Sequence, residues 1–283
     1  MRFESPTSID GAVALLAAEG GISRLLAGGT DVLVQLRSGM VEPDLVVDIK
    51  RIPGMFDIAE ENGGFRVGAA VPGAELNAHA GVKAMWPGVC EGLDLVGSTQ
   101  IQSRATLAGN LCNASPAADS VPAMIAAAAV ARVHGLDGTR DVPVEEICTA
   151  PGRTSLAKGE MVGSILLPAR PANSSDAYLR FIPRTEMDIA VVGAGVSLTM
   201  DGDTVTAARV ALGAVAPTAR LVPAAAEALM GRTIDAAADD LAAAASAACD
   251  PIDDKRGTIA FRTKVAGVLA VRAARIAADR AKG

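Results

Sequence analysis

The segment RLLAGGTDVLVQLR, residues 24–37, restricts the fold more than any other, because two adjacent glycines separate two apolar runs. Residues 24–27 predict a strand, since a short apolar run that ends at a turn is typical of a buried strand. Residues 28–30 predict a tight turn, because glycine adopts left-handed backbone without a steric penalty. Residues 31–37 predict a helix whose first turn begins with an acid. This order indicates that helices and strands alternate in the first half of the chain.

The length of 283 residues and a change of pattern near residue 172 predict two domains. The first part ends with a strand over residues 159–168, which a proline closes. RPANSSDA, residues 170–177, is the best linker candidate, because Pro, Asn and Ser cluster there between apolar runs. We therefore predict domains at residues 1–172 and 177–283.

The second predicted domain begins with strands and ends with helices. Apolar runs on both sides of Asp201-Gly202-Asp203 predict an antiparallel hairpin or meander. From residue 224 onward the chain is rich in alanine, and its apolar residues recur with helical spacing. This pattern predicts packed helices rather than disorder.

Composition argues against several classes of protein. The formal net charge of −6 disfavours a nucleic-acid binder, which needs a basic face. The longest apolar stretch, residues 121–131, is far shorter than the roughly 20 residues of a membrane span, so we expect no membrane insertion and a cytoplasmic location. Four cysteines without a C-x-x-C pair and two histidines predict free thiols and no metal site on this chain.

The segment VVGAGVSL contains Gly193-x-Gly195 but does not complete a nucleotide-binding fingerprint. The third glycine of G-x-G-x-x-G would fall at Leu198, and no acid follows at the required distance. We interpret these glycines as making room where strands pack closely. The phosphate-binding motif G-x-x-x-x-G-K-[ST] does not occur either.

Two segments share a Leu-Ala-Gly start, LLAGGTDV at residues 25–32 and TLAGNLCNASPAAD at residues 106–119. Each places glycines and small polar side chains where a helix is expected to begin. Successive main-chain N–H groups in such a turn can form an anion nest, and glycine lets the backbone approach a phosphate. Either segment alone is compatible with an ordinary connection, but the pair favours a diphosphate site. Neutral hydrogen-bonding groups for such a site are Thr30, Thr106, Asn110 and Ser115.

The carboxylate of Asp119 would repel a phosphate, so it requires a different role. It can accept hydrogen bonds from a ribose or another polyol of the ligand, or it can cap the helix that begins with SVPAMI. The residues leave both roles open.

Four segments together resemble the FAD-binding medium subunit of molybdenum hydroxylases, the family of xanthine dehydrogenase and aerobic carbon monoxide dehydrogenase. In order, they are LLAGGTDVLVQLR, ATLAGNLCNASPAADSVPAM, FIPRTEMDIAVVGAGVSL and GAVAPTARLVPAAAEALMG. The resemblance extends over the whole chain. It implies an α+β fold, in which a vanillyl-alcohol-oxidase (PCMH) type FAD-binding domain of two α/β subdomains precedes a C-terminal α+β domain with a small antiparallel sheet and helices.

The resemblance also implies which residues bind FAD. The first glycine loop and a T-[IL]-G-G-N loop would clamp the FAD diphosphate, although Ala108 stands where the second loop commonly has glycine. Asp119 would contact the adenosine side, Val162 would contact FAD through its backbone, Arg180 replaces a lysine of some relatives, and Ile189 would pack near the isoalloxazine ring. The FAD-binding residues predicted in this way are Leu25, Leu26, Ala27, Gly28, Gly29, Thr30, Asp31, Val32, Thr106, Gly109, Asn110, Ser115, Asp119, Val162, Arg180 and Ile189.

By the same resemblance, the chain passes electrons and contributes no catalytic residue of its own. The molybdopterin cofactor is expected on a large partner subunit and two [2Fe-2S] clusters on a small one, in a dimer of heterotrimers. The alternative is a self-sufficient flavin oxidoreductase of the vanillyl-alcohol-oxidase type, which would bring its own catalytic Tyr, His or Arg. That alternative is disfavoured by the presence of one Tyr and two His in the chain. A scaffold without a cofactor is less compatible still with the two glycine segments.

Overall fold

The computed structural model describes residues 1–185 and 187–282. Glu186, in the third of the family-like segments, and Gly283, the last residue of the second predicted domain, lie outside the described residues. The chain has two hydrophobic cores. Residues from 12 to 167, together with Tyr178 and Ala211, build the first core, and the other buried apolar residues from 177 to 281 build the second.

A three-stranded parallel sheet of order β1-β3-β2 carries the first glycine turn. The predicted strand, turn and helix over residues 24–37 are confirmed, with the boundaries of the strand and helix displaced by one residue. The glycine turn connects β2 to α2, so the sheet fixes its position. The elements are β1 Arg2–Glu4, α1 Ile9–Ala18, β2 Ser23–Leu26, α2 Val32–Arg37 and β3 Leu45–Asp48.

A five-stranded antiparallel sheet of order β4-β5-β10-β6-β7 forms the other layer of the first core. Its central strand, β10, buries every residue except Leu166 and ends directly before Pro168, as the sequence predicts. A separate two-stranded ribbon, β8 with β9, precedes β10. The strands are β4 Ile58–Glu61, β5 Gly64–Gly68, β6 Val130–Gly135, β7 Gly138–Pro143, β8 Cys148–Ala150, β9 Arg153–Thr154 and β10 Met161–Leu167.

Six short helices lie between β5 and β6. The second glycine segment is not an extended loop, because its first part forms a helix of its own, α7. The last of the six, α8, is buried along its whole length. The helices are α3 Gly73–Ala78, α4 Ala80–Met85, α5 Pro87–Asp94, α6 Thr99–Gln102, α7 Leu107–Cys112 and α8 Ser120–Ala126.

The second core lies between a four-stranded antiparallel sheet of order β11-β12-β13-β14 and three helices. The predicted hairpin is confirmed, since Asp201 pairs with Thr204 where β12 turns into β13. No helix among residues 1–185 and 187–282 is long and apolar enough to cross a membrane. The elements are β11 Ser174–Phe181, β12 Val192–Asp201, β13 Thr204–Gly213, β14 Arg220–Leu221, α9 Pro223–Leu229, α10 Ile234–Ala247 and α11 Ile259–Ala281.

The predicted linker over residues 170–177 is wrong in its second half. β11 begins at Ser174, and residues 174–177 are buried and pair with β12. Ser and Asp are common in loops because their side chains compete for backbone hydrogen bonds. Here the sheet satisfies the backbone, and Ser174 Oγ donates to the carbonyl oxygen of Pro171.

Helix α8 joins the two halves, because it packs on α5 in the first and on β12 and β13 in the second. A Cβ at Gly195 would lie 2.6 Å from the carbonyl oxygen of Pro122, and a Cβ at Gly213 would lie 2.6 Å from its Cγ. Only glycine allows α8 to approach the sheet this closely. This contact confirms that Gly195 serves close packing rather than nucleotide binding.

Candidate functional site

A cavity of about 490 Å³ separates the first glycine turn from helix α7. Both glycine segments line it, so two regions far apart in sequence converge on one space. Its volume is within the range of natural ligand sites, about 300–1,000 Å³. The predicted site residues that line the cavity are Leu25, Ala27, Gly28, Gly29, Thr30, Asp31, Val32, Thr106, Gly109, Asn110 and Val162.

The first glycine turn presents main-chain donors to this cavity. None of the N–H groups of residues 28–32 donates to another described residue. Gly29 has a φ of +81°, in the left-handed region. A Cβ at Gly28 would overlap the carbonyl oxygen of Arg104, so the turn is held against the chain that leads to α7. Five successive free N–H groups on a fixed turn constitute an anion-binding arrangement.

The second glycine segment reaches the cavity through the first turn of α7. Thr106 Oγ1 caps this helix by accepting a hydrogen bond of 2.9 Å from Gly109 N–H. The N–H groups of Leu107 and Ala108 have no acceptor among the described residues. Ala108, which stands where relatives commonly have glycine, lies within the helix, where a Cβ is accommodated without strain.

Two side-chain hydrogen bonds hold α7 against its neighbours. Gln35 Nε2, on α2, donates to Asn113 Oδ1 over 2.9 Å. Asn110 Oδ1 accepts a bond of 2.7 Å from Ser120 Oγ, which ties α7 to α8. Gln35 and Asn113 both line the cavity and were not predicted from the sequence. Sequence pattern does not indicate that these two amides meet, since α2 and α7 are far apart along the chain.

Asp119 is 7% exposed and does not line the cavity. Its carboxylate accepts hydrogen bonds from Tyr178 Oη at 2.9 Å and from Arg180 Nη1 at 2.8 Å. The capping alternative is wrong, because the side chain makes no bond to the first turn of α8. Burial raises the pKa of Asp119 to about 6, and the charge of Arg180 and the bond from Tyr178 oppose that rise.

The other predicted residues away from the cavity are Leu26, Ser115, Arg180 and Ile189. Ser115 Oγ accepts from Ala117 N–H within its own turn. Arg180 donates to the carbonyl oxygen of Leu95 over 2.8 Å, next to the cavity-lining Val96. Ile189 is 54% exposed.

Hydrogen bonds of Asp188, the residue before Ile189, hold the loop that carries Ile189 in position. Arg256 Nε donates to the Asp188 carboxylate over 2.9 Å, and this bond lowers the pKa of Asp188 to about 2. Ile189 N–H donates to the same carboxylate, so the position of Ile189 is set by charged neighbours rather than by burial.

The cavity combines polar and apolar walls that fit FAD. Free N–H groups at the glycine turn and at α7 suit a diphosphate, since amide donors bind anions without a lysine. Leu16, Ile49, Val162 and Cys112 supply apolar surface for flat rings. Burial raises the pKa of the Cys112 thiol to about 12, so this side chain is neutral.

The chain matches two family models over nearly its whole length. Residues 1–170 match the FAD-binding domain in molybdopterin dehydrogenase, and residues 177–277 match the C-terminal domain of the CO dehydrogenase flavoprotein. The carbon monoxide dehydrogenase medium chain of Hydrogenophaga pseudoflava is 33% identical over 275 residues, 96% of each chain. The xanthine dehydrogenase FAD-binding subunit of Escherichia coli O157:H7 is 31% identical over 205 residues, 72% of this chain and 70% of the relative.

Solved structures with the same fold confirm the predicted fold class. The carbon monoxide dehydrogenase from Hydrogenophaga pseudoflava that lacks the Mo-pyranopterin moiety of the molybdenum cofactor aligns with a TM-score of 0.95 and 33% identity, over 99% of this chain and 98% of the other. Quinoline 2-oxidoreductase from Pseudomonas putida 86 aligns with a TM-score of 0.91 and 26% identity, over 100% and 98%.

Proposed function

Because this chain belongs to the family of FAD-binding medium subunits of molybdenum-containing dehydrogenases, we propose that it holds the FAD through which such a complex passes electrons to an external acceptor. When bound, FAD supplies the redox chemistry, which belongs to the cofactor rather than to side chains. The electrons would come from two [2Fe-2S] clusters of a small partner subunit. A large molybdopterin subunit would hydroxylate the organic substrate.

The observation that carries this proposal is the row of free N–H groups at residues 28–32, which faces the start of α7 across one cavity. The task of the chain is then to bind and orient FAD. The glycine turn would grip the diphosphate from one side, and Thr106, Leu107 and Ala108 would present the first turn of α7 from the other. We further propose that Val162 contacts the cofactor through its backbone, and that Asp119, Arg180 and Ile189 lie near its rings. The same proposal includes an FAD-binding domain that ends at residue 172 and a C-terminal domain whose first strand begins at Ser174.

The flavin content of the purified full-length chain tests the first part. We expect one FAD per chain, released by acid and identified by its absorption and by its hydrolysis to FMN. A chain that never contains flavin, even when it is produced with excess FAD, would contradict the proposal.

The composition of the assembly tests the second part. We expect the chain to co-purify with a molybdopterin subunit and a two-cluster iron–sulfur subunit, as a dimer of heterotrimers. Its flavin should be reduced by the organic substrate only when both partners are present. Complete turnover by the isolated chain would instead support a self-sufficient flavin oxidoreductase.

A further inference from the structure

We propose that Tyr178 is a positioning residue for the flavin site, which fixes Asp119 and Arg180 from strand β11. This inference rests on the proposed function, because it concerns two residues expected to lie near FAD. Tyr178 itself does not line the cavity. It would act on the cofactor through the residues that it holds.

The first support is the geometry of a buried cluster of three side chains. Tyr178 is 2% exposed and lies in β11, two residues before Arg180. Side chains two residues apart in a strand point to the same face. Tyr178 Oη donates to Asp119 Oδ1 over 2.9 Å, and Arg180 Nη1 donates to Oδ2 over 2.8 Å. One face of β11 therefore holds both carboxylate oxygens of a residue that belongs to the first half of the chain.

The second support is that this cluster is connected to the cavity wall at two points. Asp119 precedes Ser120, whose Oγ donates to the cavity-lining Asn110. Arg180 donates to the carbonyl oxygen of Leu95, and the next residue, Val96, also lines the cavity. A shift of the cluster would thus be transmitted to two parts of the wall.

The third support is that the neighbouring strand leaves space for the tyrosine hydroxyl. Gly193 on β12 pairs with Arg180 in the sheet, and a Cβ at Gly193 would overlap Tyr178 Oη. The second glycine of this segment, Gly195, instead allows the close approach of α8. Gly193 is therefore required for the bond between Tyr178 and Asp119.

The charges around Asp119 indicate what Tyr178 does electrostatically. Two titratable groups face the Asp119 carboxylate, Tyr178 and Arg180, and both lie on β11. Glu91 of α5 accepts a hydrogen bond from the main-chain N–H of Tyr178. The hydroxyl bond lowers the pKa of Asp119 and so favours its charged form. Loss of this bond should raise that pKa further and leave Arg180 with a weaker partner.

Tyr178→Phe tests the proposal, because it removes the hydroxyl and keeps the ring. We expect about three- to tenfold weaker FAD binding, measured by flavin fluorescence, as one charge-assisted hydrogen bond is lost at a distance. We also expect the midpoint of the pH dependence of FAD binding to move to higher pH, because the lost bond favours the charged form of Asp119. A purely structural role would lower the melting temperature and leave that midpoint in place.

Gly193→Ala is the second variant, since its Cβ should displace the same hydroxyl and reproduce both effects. In the Tyr178→Phe background this substitution should cost less than in the natural protein, because the overlapping oxygen is gone. Wild-type FAD affinity and an unchanged pH midpoint in Tyr178→Phe would overturn the proposal while leaving the proposed function intact. A natural chain without FAD would overturn both.

Discussion

At the residue scale, the two adjacent glycines of the first turn are required for different physical reasons. Gly29 requires left-handed backbone, whereas Gly28 has ordinary backbone but touches the carbonyl oxygen of Arg104. The sequence predicts the turn, because a pair of glycines between two apolar runs is typical of a tight turn. It does not predict the contact with Arg104, because that contact depends on the tertiary fold.

Gly28→Ala should therefore abolish most FAD binding. The added Cβ forces the turn away from Arg104 and displaces the row of N–H groups, so we expect at least a roughly tenfold loss of affinity, ~1.4 kcal/mol. The ratio of flavin to protein after purification measures it. Gly20→Ala is the matched control, because a Cβ there has no neighbour within 4 Å. Full FAD content in Gly28→Ala would disprove the role of this turn.

Asp176 is a buried acid whose charge is only partly compensated. It is 1% exposed, neither carboxylate oxygen has a hydrogen-bond partner among the described residues, and Arg170 Nη1 lies 3.6 Å away. Burial raises the pKa of Asp176 to about 7, above the value of about 3.9 in an unfolded chain. The stability linked to this group is thus complete below about pH 4 and is lost as the pH rises through about 7.

Asp176→Asn should flatten this dependence. The natural protein should lose on the order of 2–4 kcal/mol of unfolding free energy from this group between pH 4 and pH 8, and the variant should not. Asp119, with a pKa raised to about 6, acts in the same direction, so some slope should remain. Urea midpoints at pH 5 and pH 8 measure the effect. An equal change of stability with pH in the natural protein and in the variant would contradict this prediction.

At the element scale, α7 shows where sequence pattern is insufficient. Gly, Asn, Ala and Ser in residues 106–119 are typical of a loop, yet the first part of the segment is helical. Thr106 caps the helix, and Leu107 and Leu111 are buried in the first core. Tertiary burial thus overrides weak helix propensity. β2 and β10 were predictable because their apolar runs and their turn residues agree.

Thr106→Ala should destabilise the protein by about 0.5–2 kcal/mol, because the N-terminus of α7 loses its cap. Thr106→Ser is the control, since it keeps the hydroxyl that accepts from Gly109 N–H. Chemical denaturation of the flavin-free protein measures the difference without a contribution from FAD. Equal stability of the alanine and serine variants would show that the cap is not needed.

The buried face of α11 consists largely of methyl groups. Its fully buried alanines are Ala266, Ala270, Ala273, Ala274 and Ala277. Ala274→Leu should destabilise the second core by about 1–3 kcal/mol, because a well-packed interior does not accept extra volume. Val268→Leu, on the exposed side of the same helix, should change stability by less than about 0.5 kcal/mol. A neutral Ala274→Leu, measured by denaturation, would mean that the core has unfilled space.

At the scale of the whole molecule, the two halves are joined through α8 and the Asp119 cluster rather than through a long linker. The order of the segments and their resemblance to a family predicted the fold class and the cofactor. The bonds Tyr178–Asp119 and Gln35–Asn113 could not be predicted, because each joins residues that are distant in sequence and ordinary in composition. Local patterns specify elements, whereas such contacts depend on how the elements pack.

The methyl-lined interior beneath α11 has a mechanical consequence. Alanine has no side-chain rotamers, so this helix cannot settle into a new position by rearranging its side chains as a leucine-rich helix can. Sliding it along the sheet would break many small contacts at once and create none in exchange. The second core should therefore resist sliding of α11 against its sheet.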